Sequence, residues 1–228
     1  MADLLLWAFL LLSVYLYLTI FYYLFGRSGL FCFTAITTIL SKILILKRVV
    51  IFDQTVNLTI ITFLSILFAL NLITEKYNAK SAAKCATLGL FINVTFVLMI
   101  NFTLAFQHNS FDTSNIHLKI LFYNTAYTTT TVVGTYIIYI CQYVNIYVYT
   151  AIKQKNIKAK WAKHNLTRLT TSLMAYGLIE VSTYMISHLN HDYNIDFNIK
   201  GSWVFVLMIM IIDSFIYYLL TSLKVQEA

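Results

Sequence analysis

The fold class this sequence predicts is all-α: a polytopic integral membrane protein of about seven transmembrane helices. Three observations predict it. Hydrophobic residues make up 60% of the 228, charged residues only 11%, and the mean hydropathy is +0.75. A soluble domain carries about 45–50% apolar and about 25% charged residues. The apolar residues gather into runs of bilayer length, and the basic residues fall unevenly between those runs. A soluble globular fold, a disordered chain and a disulfide scaffold are all excluded. Proline is absent, so breaks in the helices have to come from the six glycines or from Ser, Thr and Asn. Cys32, Cys85 and Cys141 lie in apolar stretches without pairwise spacing, and suggest neither a metal site nor a disulfide.

Seven runs are candidate spans: Leu4–Phe25, Leu30–Leu46, Asn57–Thr74, Cys85–Gln107, Ile120–Ile152, Leu169–Ile186 and Trp203–Leu223. A bilayer core takes about 20 residues of helix, within roughly 17–25. Only Ile120–Ile152, at 33 residues, exceeds this, so a tilted helix reaching into an interface is expected there. Leu4–Phe25 lacks the basic start and small-residue cleavage site of a signal peptide and ends in Gly26 and Arg27, which reads as a retained helix. The longest connection, Lys153–Arg168, has 16 residues and leaves no room for a soluble domain. Residues 1–228 therefore read as a single transmembrane domain, with any functional site inside the bundle.

Orientation follows from the basic residues on alternate loops. Arg27, Lys76, Lys80, Lys84, Lys153, Lys155, Lys158, Lys160, Lys163, Arg168 and Lys224 fall on one side, and Lys47, Arg48, Lys119 and Lys200 on the other, eleven against four. This predicts an outside N-terminus and a cytoplasmic C-terminus. The net charge of +7 follows from the same bias and does not call for nucleic acid.

Ionisable groups inside a span cost roughly 2.5–3.5 kcal/mol on insertion scales and generally face the bundle interior. Asp213 lies eleven residues into a 21-residue run, too deep to reach water, so it either pairs with another buried group or meets a transported molecule. Glu180 lies two thirds along its run. Lys42 is four residues from the end of its own, where it could equally be a solvated, snorkelling lysine. Asn71 and Glu75 are four apart on one helical face, with Glu75 either lining a site or paired with Lys76 or Lys80. Gln142, Asn145 and Tyr149 form a polar stripe that reads a cargo or simply joins helices. His188 and His191 beside Asp192 could hold a metal, but a plain polar loop is the favoured reading, and neither a metal nor a cofactor is called for.

The stretch holding Asn71, Glu75, Tyr77, Asn78, Ala82, Ala83 and Lys84 resembles the signature of the vitamin uptake transporter family, Asp-x-x-x-Glu-x-Tyr-Gly followed by basic residues and alanines. Phe25-Gly26-Arg27-Ser28-Gly29-Leu30 resembles that family's Phe-Gly-Lys-x-Gly-Leu junction in members with an extra first helix ahead of a six-helix core. Lys47 falls where those members have a lysine. Gln142 and Asn145 resemble its Gln-x-x-Asp. Trp161-Ala162-Lys163-His164-Asn165-Leu166-Thr167 resembles Trp-Leu-Arg-Asn-Asn-Leu-Ser, and Asp213, Ser214 and Tyr218 resemble Asp-Thr-Pro followed by Tyr. The chain departs from the pattern at Asn71, Asn78, Thr129, Asn145, Ser172, Ala175 and Val206.

The resemblance implies a transporter of a small heterocyclic nutrient, a queuosine precursor first of all, in the bacterial cytoplasmic (inner) membrane. It implies substrate contacts from Asn71, Glu75, Gln142, Asn145, Asn165, Asp213 and Tyr218. A deazaguanine base presents two adjacent donors that one carboxylate accepts together. Amides can read the rest of its edge, and aromatic rings can stack on its face. No Walker motif is present, so the chain would have no ATPase of its own, and the reading is a standalone secondary transporter working by alternating access. The rival readings are the substrate-binding subunit of an energised complex, whose partner subunits the sequence leaves unknown, and a structural subunit of a membrane complex. An intramembrane enzyme is disfavoured by the absence of any His-Glu-x-x-His or Gly-x-Ser-x-Gly motif.

Overall fold

The computed structural model describes residues 2–106, 118–119, 122, 125–155, 160–189 and 199–223. Six helices and one hairpin are delimited among these residues: α1 (Ala2–Leu44), β1 (Arg48–Ile51), β2 (Gln54–Asn57), α2 (Thr59–Lys76), α3 (Ala79–Ala105), α4 (Thr125–Gln154), α5 (Lys160–Leu189) and α6 (Ile199–Ser222). The chain is an all-α polytopic membrane protein. Among the described residues α1, α2, α3, α4 and α6 contain stretches long and apolar enough to cross a bilayer. Leu5, Phe9, Leu12 and Leu16 on α1, Phe91, Leu98 and Phe102 on α3, and Ile211 and Phe215 on α6 turn large apolar side chains outward, as a lipid-facing surface does.

A straight helix of 43 residues would be about 65 Å long, twice the hydrocarbon thickness. α1 is not straight. Gly26 leaves helical geometry at φ 54° and ψ −125°, a region open to glycine and costly for other residues. A Cβ on Gly29 would collide with the main-chain carbonyl of Phe21. In a continuous helix those two residues would stand about 12 Å apart. The chain therefore turns back sharply at Gly26, and α1 comprises two helices, as the separate runs on either side of it predict.

The connection after α1 holds an antiparallel hairpin that the sequence reading did not anticipate. Arg48 pairs with Asn57, Val49 with Val56, Val50 with Thr55 and Ile51 with Gln54. Phe52 and Asp53 at its tip both have positive φ, 52° and 58°, the twist that matches a two-residue hairpin loop. Glycine or asparagine normally supplies that conformation, and a phenylalanine there carries no recognisable turn signal. Ile51 and Val56 are buried, with β1 packed on α1 and β2 on α6.

α2 is the central helix. It is buried on every face from Ile60 to Thr74, the expected place for a helix apolar all round. It packs against α1, α3, α4, α5 and α6. Asn78 then accepts a hydrogen bond from the Ser81 amide at 2.7 Å and caps α3. An N-cap of this kind contributes about 1 kcal/mol, which gives the asparagine at this departure from the family pattern a local structural use.

One expectation is corrected, and the alternative left open at Lys42 is decided. The connection predicted over Lys153–Arg168 is shorter, because α5 already begins at Lys160. Arg168 is consequently two turns into a helix and fully buried, not a loop cation, and Lys163 is nearly buried as well. α5 is long enough to span, but its buried polar residues keep it out of the apolar set. Lys42 does not snorkel. It is only 4% exposed, and its Nζ donates to Thr135 Oγ1 on α4 at 2.8 Å. The side chains of Thr129, Glu180 and His188, and residues Lys158, His191, Asp192, Asn194 and Lys224, lie outside the described residues.

Candidate substrate site

Four helices each present a polar pair at i and i+4, the spacing that stacks two side chains on one face. The pairs are Asn71 and Glu75 on α2, Asn145 and Tyr149 on α4, His164 and Arg168 on α5, and Asp213 and Tyr217 on α6. All but Glu75 are nearly or wholly buried, and the four faces meet in the middle of the bundle. Tyr15 of α1 and Phe68 of α2 close the remaining sides.

The deepest element is an ion pair between Arg168 Nη1 and Asp213 Oδ2, with both side chains at 0% exposure. Two charges removed from water carry a desolvation cost that their attraction offsets only with good geometry and further hydrogen bonds. Most of those further bonds are missing. Among the described residues Arg168 Nε and Nη2, Asp213 Oδ1, Ser172 Oγ and Asn165 Oδ1 are buried without a hydrogen-bond partner. The Tyr15 hydroxyl lies beside the guanidinium. Unmet donors and acceptors therefore concentrate around one buried pair of opposite charges.

His164 joins this pair to the amides. Its Nε2 lies 3.4 Å from Arg168 Nη1 and its Nδ1 lies 3.1 Å from the Asn71 amide. The Asn71 amide in turn meets the Asn145 amide at 2.7 Å, and Asn145 meets Thr171 Oγ1 at 3.4 Å. The imidazole stacks on the Tyr217 ring, with centroids 4.0 Å apart and planes 12° from parallel. Phe68 meets both rings edge-on, at 5.1 Å from His164 and 5.5 Å from Tyr217, and Tyr15 in turn meets Phe68 at 5.5 Å. Flat aromatic faces thus adjoin fixed donors and acceptors.

A second layer lies towards the end of α2. The Tyr149 hydroxyl donates to Glu75 Oε2 at 3.1 Å and meets the Tyr217 hydroxyl at 2.6 Å. Because Tyr149 has one proton and gives it to the carboxylate, Tyr217 donates to Tyr149. Lys153 and Lys163 stand 3.4 Å and 3.9 Å from the same carboxylate oxygen. Glu75 is therefore paired, but with these two lysines and not with Lys76 or Lys80; Lys76 donates instead to the Leu223 carbonyl.

Of the residues expected at a site, Asn71, Glu75, Asn145 and Asp213 are brought together. Gln142 is buried on α4, on the same stripe as Asn145 and Tyr149. Asn165 donates to Ser214 Oγ at 2.6 Å, tying α5 to α6 beside the cluster. Tyr218 is not brought in. It is 64% exposed and faces outward, and its neighbour Tyr217 occupies the position in the cluster. Adjacent helical residues point about 100° apart, so a motif match displaced by one residue lands on the other face. Ala175 sits in a small apolar cluster with Ile137 and Cys141, and Val206 lies in the main core, so neither position adds a charge. The sequence reading missed His164, Arg168, Thr171 and Tyr217. The available signal was the four-residue step from His164 to Arg168 continuing the Trp161 motif into the following run.

The contrast between the two tyrosines is testable. Tyr217→Phe leaves the buried Tyr149 oxygen without its donor and is expected to cost about 1–3 kcal/mol of stability. Tyr218→Phe removes an exposed hydroxyl and should stay within about 0.5 kcal/mol of the parent. Thermal unfolding of the two variants in the same detergent reads the difference, and equal losses would contradict the assignment.

The vitamin uptake transporter family matches residues 57–222. A Bacillus subtilis (strain 168) protein named "Probable queuosine precursor transporter" is 28% identical over 130 residues, covering 57% of this chain and 56% of that protein. The chain thus spans little more than half the length of this relative. No solved structure matches the chain.

Proposed function

Since the chain belongs to the vitamin uptake transporter family, and is a transport protein and not an enzyme, we propose that it imports queuosine precursors of the deazaguanine type as a standalone secondary transporter of the cytoplasmic membrane. The observation that carries this reading is the buried Arg168–Asp213 pair with its unmet hydrogen-bonding groups, set beside stacked aromatic rings. A deazaguanine edge offers one carbonyl acceptor next to two N–H donors. Arg168 has donors to spare for the carbonyl, and Asp213 Oδ1 is open to the N–H groups. Cargo and ion pair are then complementary, and each supplies what the other lacks in a buried interior. The amides of Asn71 and Asn145 support the remaining edge, and Phe68, His164 and Tyr217 supply flat faces.

Glu75, Tyr149, Lys153 and Lys163 lie between this cluster and the α2 terminus, where they form the closed end of the path. Alternating access then consists of parting this layer on one side and the α1 and α6 contacts, such as Trp7 against Phe205, on the other. With Arg168 removed from the loop cations, ten basic residues still oppose four, which supports an outside N-terminus and a cytoplasmic Glu75 layer.

The test is uptake of labelled 7-deazaguanine in a transport-deficient bacterial host expressing this chain alone. Saturable accumulation at least tenfold above the empty host is expected. Uptake that appears only with a co-expressed ATPase pair would make the chain a subunit of an energised complex. Absence of uptake together with stable co-purification in a large assembly would favour a structural role.

A further inference from the structure

We propose that His164 is the proton-coupling site of this transporter, an inference that rests on the transport reading and adds its coupling ion. The argument begins with the direction of the hydrogen bonds. Arg168 has donors only, so the His164 Nε2 that faces it has to be a lone pair. The ring proton of the neutral imidazole therefore sits on Nδ1, and Asn71 has to turn its amide oxygen towards it. The far end of the chain is compatible with the same polarity. The Thr171 hydroxyl lies 2.7 Å from the Thr167 carbonyl and 3.4 Å from Asn145 Oδ1; with its proton on the shorter bond, its oxygen can accept from Asn145 once that amide is turned. Asn145 then accepts from Asn71, and Asn71 from His164. Half-turns of two amides, which interchange oxygen and nitrogen at the same sites, satisfy every member from Thr171 to His164. The Arg168 end thus selects one tautomer, and the Thr171 end accommodates it.

The consequence lies at Nε2. A proton added there forms a new N–H bond where Arg168 Nη1 now donates, so proton and guanidinium exclude one another at this nitrogen. The same Arg168 nitrogen is held by Asp213. A cargo whose carbonyl draws Arg168 away bares the lone pair and favours protonation, and the imidazolium that results is balanced by Asp213. Protonation in turn frees Arg168 for the cargo. This is reciprocal coupling between two ligands, a proton and a base, through one shared donor. Among the described residues, the other titratable and charged groups around the ring are Tyr15 of α1, Glu75 of α2, Tyr149 and Lys153 of α4, Lys163 of α5 and Tyr217 of α6, with Tyr22 of α1 beside Tyr217. None of these bonds to either ring nitrogen, whereas Asn71 and Arg168 do.

Nitrogen-15 histidine NMR of the full chain in lipid nanodiscs tests this, with His164→Asn used to identify the resonance. The expected result is an Nδ1–H tautomer whose titration moves to higher pH by at least about one unit when 7-deazaguanine binds. In proteoliposomes, an imposed gradient, acid on the entry side, is expected to raise 7-deazaguanine accumulation at least tenfold. An Nε2–H tautomer, or a titration unmoved while the base demonstrably binds, would overturn the proposal. So would exchange of the base that proceeds but ignores the gradient, and this outcome leaves the transport reading standing. Neither binding nor exchange in any condition would overturn the transport reading itself and the coupling with it.

Discussion

Removing one partner of the buried pair, by Arg168→Met or Asp213→Asn, is expected to destabilise the protein by about 3–5 kcal/mol, because each leaves a fully buried charge uncompensated. Uptake by either single variant should fall at least tenfold, about 1.4 kcal/mol in an affinity or a barrier. From sequence alone Asp213→Asn is expected to insert normally, since a neutral amide is cheaper to bury. The ion pair with Arg168 reverses that expectation. Arg168→Met combined with Asp213→Leu puts apolar side chains in both places and should recover most of the lost stability, as replacement of whole buried pairs commonly does. Transport should not recover, because the cargo's polar edge then meets nothing. Thermal unfolding and uptake, measured on the same four proteins, separate the two effects. A double variant that transports like the parent would remove the pair from the site; one as unstable as the singles would deny the electrostatic account of its cost.

Gly29→Ala is expected to be similarly severe, for a reason of shape. The added methyl overlaps a main-chain carbonyl, that of Phe21, which has no rotamer to escape through. Relief requires opening the elbow of α1 and separating the two helices it joins. A loss beyond about 4 kcal/mol belongs to the exceptional class of point changes, and a backbone collision is one of the few causes of it. Gly134→Ala is the control. Nothing lies within 4 Å of the added carbon, and alanine favours a helix over glycine by up to about 1 kcal/mol. Folded yield and unfolding temperature should collapse for Gly29→Ala and hold or rise for Gly134→Ala. Equal behaviour would mean that the elbow is not a tight turn.

The membrane fold was legible because it is written in composition. Charge-free runs of bilayer length need no partner to be recognised, and the glycine break between the first two was visible as Gly26 beside Arg27. Asp213 was legible for the same reason: a midplane carboxylate is conspicuous, and either a buried partner or contact with the cargo was foreseen for it. The identity of that partner was not. Arg168 sits at the edge of an apolar run, where a basic residue normally belongs to a loop, and only the early start of α5 carries it inside. Tyr217 and Tyr218 illustrate a second limit. Both are tyrosines in one apolar helix, and which faces the cluster depends on a rotation fixed by packing against α2 and α5. The hairpin was hidden because Phe52 and Asp53 adopt a turn that their side chains do not favour.

The central claim is that the Arg168–Asp213 cluster recognises the cargo, and direct binding tests it without the complications of flux. Tritiated 7-deazaguanine is titrated against the purified chain in lipid nanodiscs, alongside the Arg168→Met, Asp213→Leu double variant. The account predicts saturable binding by the parent at one base per chain, weakened at least a hundredfold in a double variant that remains folded. Binding of equal strength by both proteins would contradict it.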